Sequence, residues 1–254
     1  MAVDEAILEH SRRGASLPTL RLYAWAPPCL SLGYAQPYAE ADLEQLKARG
    51  WELVRRPTGG RAILHTDELT YSVTAPAENP VTTGSVLESY HRIARALLRA
   101  LQGLGLPVQI EGQALSALPG AANPVCFEVP SSYEITVAGR KLVGSAQARR
   151  QEGVLQHGSL PLIGDLGRIT QGLVFKDGPA RKEAERRLLQ RAATVESVLG
   201  RRVEWDGAAA AFEEAFRSEL GLDFEEAPLS ESEGERAAEL VETKYAHASW
   251  TQRV

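Results

Sequence analysis

Apolar residues recur along this chain with two different periods, and the switches between them mark its elements. Val3, Ala6, Ile7 and Leu8 share one helical face, with Asp4 and Glu5 early and Arg12-Arg13 late, which predicts a helix over 2–13 charged in accord with its dipole. Alternation at Leu20–Trp25 and Cys29–Gly33 predicts two strands around a pair of prolines. Glu40–Gly50 reads as a helix closed by glycine, and Trp51–Arg56 as a strand entering the turn Pro57-Thr58-Gly59-Gly60. Ala62–His65 and Leu69–Val73 are the next strands, and Ile93, Leu97, Leu98 and Leu101 predict a long helix over 85–104. A stretch rich in Ala, Pro and Gly at about 112–125 reads as a loop.

The second half changes period again. Tyr133–Ala146 predicts two strands joined at Ala138-Gly139, and Val154–Leu162 another strand. From Ala180 the pattern is helical, at 180–191, 194–199 and 206–220. Pro228–Glu235 reads as a polar linker before a last helix at about 236–242. Strands and helices mix without strict alternation, so the expected class is α+β, with a mixed, largely antiparallel sheet flanked by helices. The 254 residues form one expected domain, with a helical C-terminal portion from about 179.

Charge narrows the possible partners. The formal net charge of −5 argues against a general nucleic-acid binder. No apolar stretch approaches the roughly 18 residues of a membrane span, and the acidic N-terminal segment lacks a signal pattern, so no membrane association and a cytoplasmic location are expected. Two cysteines, Cys29 and Cys126, make neither a disulfide framework nor a structural zinc site. Cys29 lies beside an apolar run and reads as a core residue, whereas Cys126 lies in the polar stretch Asn123–Glu128.

Three segments combine glycine with reactive side chains. In Arg55–His65 the paired Gly59 and Gly60 allow close backbone approach to a carbonyl or phosphate; a tight hairpin with surface arginines is the structural alternative. In Gly139–Gln147, Lys141 either points toward a reacting carbonyl or is a solvated edge lysine. Cys126 is either an acyl-accepting thiolate or a small buried hydrophobe. His65 and His157 are candidate bases, with structural hydrogen bonding as the alternative.

Taken together, these segments resemble the lipoate- and biotin-protein ligase superfamily, and within it the bacterial octanoyltransferases that act from octanoyl carrier protein. Met1–Ala6 is similar to the family's first helix and Leu30–Gln36 to its second strand. Arg55–His65 followed by Glu68–Ser72 resembles its acyl-binding signature, and Gly139–Gln147 with Gln156–Leu160 completes the match. The ligases of this superfamily carry a third glycine where this chain has Arg61, and an aspartate where it has Thr66.

The resemblance implies the catalytic-domain fold related to class II aminoacyl-tRNA synthetases. It also implies an acyltransferase that moves octanoyl from acyl carrier protein, through a Cys126 thioester, to a lysine of a lipoyl domain or of glycine cleavage H protein. Cys126 and Lys141 would be catalytic. Arg56, Gly59, Gly60, Arg61, His65, Tyr71, Gly144, Ser145, Ala146 and His157 would bind substrate. No cofactor and no metal are expected. Arg149-Arg150 and the 181–187 cations are candidate docking points for acidic partner proteins, although Glu183 and Glu185 interleave with the latter. The rival readings are an ATP-dependent lipoate ligase, an octanoyl amidotransferase between lipoyl proteins, and a non-catalytic binder of an acyl or biotin-like ligand.

Overall fold

The computed structural model describes residues 1–112, 133–151 and 153–254. Cys126 and nearly all of the expected 112–125 loop lie outside the described residues. The elements in order are α1 (Ala2–Arg12), β1 (Thr19–Tyr23), β2 (Cys29–Leu32), α2 (Leu43–Ala48), β3 (Glu52–Arg55), β4 (Ile63–His65), β5 (Glu68–Ala75) and α3 (Val86–Gly103). They continue with β6 (Gln109–Gly112), β7 (Tyr133–Val137), β8 (Arg140–Arg150), β9 (Gly153–Pro161), α4 (Gly178–Arg191), α5 (Val195–Leu199), α6 (Trp205–Leu220), α7 (Glu231–Leu240) and α8 (Ala248–Thr251).

Six strands form one antiparallel sheet in the order β1-β5-β9-β8-β7-β6. A smaller sheet, β3-β2-β4, pairs β2 parallel to β3 and antiparallel to β4. The expected α+β architecture, mixed and largely antiparallel, is therefore present. Ala138 and Gly139 both take positive φ at the β7–β8 turn, the backbone that a two-residue hairpin matched to strand twist requires.

The large sheet buries one face against α3 and α6. Ile93, Leu97 and Leu101 of α3 and Phe212 and Phe216 of α6 pack with Leu69, Tyr71 and Leu160 of the sheet. The change to helices near 178 does not separate the core, since α6 completes the layer begun by α3. The small sheet packs with α2 and α4 in a second cluster built on Leu30, Leu32, Leu46 and Leu188.

Several elements differ from expectation. The polar stretch read as a linker over 228–235 already contains the start of α7: Ser230 accepts from the Glu233 amide and Glu233 reaches back to the Ser230 amide, a closed capping box. β6 is an edge strand too short to announce itself by alternation. β8 runs four residues past Ala146, to Arg150, because β9 pairs with it along that whole length.

Candidate active site

The other face of the large sheet carries small and polar side chains. Strand register sets Thr70, Ser159 and Gly144 in one row across β5, β9 and β8, and Ser72, His157 and Ala146 in another row on the same face. Small residues there leave space under the small sheet. A pocket of about 350 Å³, partly continuous with solvent, lies between Arg56, Ile63 and His65 on one side and Thr70, Gly144–Ala146 and His157–Ser159 on the other.

Gly158 is required by this geometry. A Cβ there would lie 2.6 Å from the Tyr71 ring and 2.7 Å from Ser145 Oγ. Without it, the Tyr71 hydroxyl on β5 spans β9 and donates to Ser145 on β8 at 2.7 Å. The Tyr71 ring itself belongs to the α3–α6 core, so this residue supports the pocket from behind rather than lining it.

A continuous hydrogen-bonded array crosses the pocket. Glu68 is buried; the Ser159 and Thr70 hydroxyls donate to its carboxylate, and His65 Nδ1 is bonded to it. Burial alone would raise the Glu68 pKa, but His65 and the two hydroxyls outweigh it and hold the carboxyl below its usual range. His65 Nε2 is bonded to Ser31 Oγ at 2.8 Å, and the indole of Trp25 stacks on the imidazole with centroids 4.3 Å apart. Arg56 donates to the Ser31 hydroxyl and carbonyl, and also to the carbonyls of Gly59 (2.8 Å) and Arg61 (2.7 Å). The array thus runs from Glu68 through His65, Ser31 and Arg56 into the glycine turn.

His157 holds the same turn from the large sheet. Its Nε2 is bonded to the Thr58 hydroxyl at 2.6 Å. Burial pushes its pKa down to about 3, with Arg56 adding to the shift against the opposing charge of Asp4. It is therefore a neutral structural partner near pH 7, and a poor base for an ammonium group. Gly60 takes φ +91°, and its carbonyl packs so close to Gly33 that a Cβ on Gly33 would lie 1.9 Å from it. Among the described residues, nothing accepts from the amides of Gly59 and Gly60.

Of the expected site residues, the structure brings Arg56, His65, Gly144, Ser145, Ala146 and His157 to one pocket, with Gly59 and Gly60 in the turn beside it. Arg61 turns to the rim and pairs with Glu40 at 3.3 Å. Lys141, at the start of β8, is buried, and its carbonyl accepts from the Ala193 amide at 3.0 Å. Ser31, Thr58, Glu68 and Ser159 take part without having been singled out. Cys29 is a core residue as expected: buried on β2, with its thiol pushed up to about 12 by burial. The described residues contain no group of three potential metal ligands and no helix long and apolar enough to cross a membrane.

The family model of the lipoyl protein ligase A/B catalytic domain matches residues 1–217, and the chain belongs to that family. Within it, the chain is similar over its full length to proteins named octanoyltransferase LipM. The protein of Moorella thermoacetica is 44% identical, covering 100% of this chain and 93% of that one, and the protein of Symbiobacterium thermophilum is 40% identical with the same coverage. Among solved structures, a bipartite lipoate protein ligase from Thermoplasma acidophilum superposes with a TM-score of 0.80 at 28% identity, covering 99% of this chain and 89% of that one. A lipoate-protein ligase A bound with ATP gives 0.77 at 28% identity, covering 99% and 92%. These likenesses bear out the expected family, its fold and an enzyme of the acyltransferase class.

Proposed function

We propose that this chain is an octanoyltransferase of lipoate biosynthesis, acting as one catalytic unit that takes octanoyl from acyl carrier protein and delivers it to a lysine of a lipoyl domain or of glycine cleavage H protein. The observation that carries the reading is the pocket itself. Gly144 and Ala146 keep bulky side chains out of the pocket wall, while the amides of Gly59 and Gly60 stand without acceptors beside it. Full-length similarity to proteins named octanoyltransferase supports the choice of acyl group.

In this mechanism the Cys126 thiolate attacks the thioester carbonyl and the pantetheine thiol leaves. The neutral amine of the acceptor lysine then attacks the acyl-enzyme, the Cys126 thiol departs and an amide forms. Developing negative charge on the carbonyl oxygen is met by the Lys141 ammonium and by backbone amides, usually the largest contribution in acyl transfer. Arg56, His65 and the glycine turn orient the acyl chain. A thioester is a sufficient acyl donor for amide formation, so no nucleotide takes part.

The test is transfer without ATP. Octanoyl carrier protein and a lipoyl domain should give octanoylated lipoyl domain, and Lys141→Ala should lower kcat by about 10²–10³-fold, the cost of one oxyanion donor. Modification that needs ATP and a free fatty or lipoic acid would replace this reading with the ligase one.

A further inference from the structure

Positive charge gathers at the outer side of the glycine turn. Arg55 is fully buried and donates to the carbonyls of Gly33, Gln36 and Thr251 rather than to any acid. Arg150 donates to the Pro57 carbonyl at 3.2 Å, and its guanidinium lies 5.8 Å from the centre of the Tyr34 ring. Arg253 lies 4.0 Å from the same ring and 5.1 Å from that of Trp250. The nearby carboxylates are engaged elsewhere: Glu40 with Arg61 and Gln36, Glu5 with Lys244 and Tyr245. Among the described residues, Arg55, Arg150 and Arg253 form no ion pair.

This charge is held in place. The Tyr34 amide donates to the Thr58 carbonyl at 2.9 Å, which fixes the ring to the turn, and two guanidiniums rest against that ring. Stacking restrains rotamers that an exposed arginine otherwise samples freely. Thr58 is in turn bonded to His157, a residue of the pocket. The charged rim and the pocket are therefore parts of one construction.

Resting on the reading of a carrier thioester as donor, we infer that Arg150 and Arg253, presented by Tyr34, form a subsite for the phosphodiester of the pantetheine arm. The chemistry fits on three counts. A guanidinium offers paired N–H donors matched to phosphate oxygens. A phosphodiester supplies a counter-charge for two guanidiniums that form no ion pair among the described residues. And the arm separates phosphate from thioester by two amide-linked units, so the phosphate must lie outside the acyl pocket, as this rim does.

The experiment compares three donors, octanoyl carrier protein, octanoyl-4′-phosphopantetheine and octanoyl-pantetheine, with the wild-type protein and an Arg150→Gln/Arg253→Gln variant of matching melting temperature. The variant should raise KM about tenfold or more for both phosphate-bearing donors, the size of one or two lost charge-assisted contacts. With octanoyl-pantetheine, which has no phosphate, the two proteins should show the same KM. The difference should also shrink with added salt. A rise confined to the carrier protein would mean that these arginines read the carrier's surface, and would overturn the subsite. An equal rise for all three donors, or no rise for any, would overturn it as well. A wild-type protein inert toward all three would instead sink the carrier-thioester reading, and the subsite with it.

Discussion

His157 shows how a residue chosen for its chemistry can serve the site by lacking charge. It stays neutral in the fold with its pKa pushed down to about 3, whereas in the unfolded chain it titrates near the ordinary 6.5. The unfolded state therefore takes up a proton that the folded state refuses, and stability falls as pH drops from about 6.5 toward 3, by at most about 1.4 kcal/mol per pH unit from this group. In His157→Gln, which keeps a polar partner for Thr58, the slope of stability against pH in that window should be shallower. Denaturant unfolding at several pH values measures it, and an unchanged slope would count against a neutral buried imidazole. At this scale the glycines and histidines of the site were legible because their motifs are contiguous. Ser31, Thr58 and Ser159 were not: a single hydroxyl on a short strand or in a turn has no signature until the fold brings it to a partner such as His65, His157 or Glu68.

The elements were legible where one period persists for several residues. α3 stands out because its apolar face repeats over five turns, and the β7–β8 turn because Ala138-Gly139 interrupts two alternating runs. The first half of α7 was read as linker because Glu231–Glu235 is made only of Glu, Ser and Gly, although Ser230 and Glu233 were spaced as a capping box. That spacing can be tested. Ser230→Ala removes the hydroxyl that accepts from the Glu233 amide and should cost about 1 kcal/mol. The loss should appear as faster hydrogen exchange over 231–240, since α7 packs on α1 through Ala237 and Leu240. Unchanged exchange there would mean that tertiary packing, rather than the cap, sets the helix start. β6 had no comparable signal, because four residues at a sheet edge show too little alternation to separate from loop.

At the scale of the molecule, two sheets, each with its own helical core, face one another across a polar seam, and the pocket lies in that seam. The seam is closed by residues distant in sequence. Glu68 and Ser159 bridge β5 and β9, Thr58 and His157 join the small sheet to the large one, and Arg55 ties the segment after β2 to Thr251 at the end of α8. Sequence periodicity gave the layers, but only the resemblance of several ordered motifs gave the seam, because it depends on pairings between strands far apart in the chain. A carrier-bound octanoyl group is proposed to pass through a thioester on Cys126. Intact-protein mass spectrometry after mixing with octanoyl carrier protein, without ATP, tests it directly on wild type, Cys126→Ser and Cys29→Ser. Wild type and Cys29→Ser should gain one octanoyl mass, discharged when a lipoyl domain is added, and Cys126→Ser should not. An octanoyl adduct on Cys126→Ser, or octanoylated lipoyl domain produced by that variant at the wild-type rate, would contradict it.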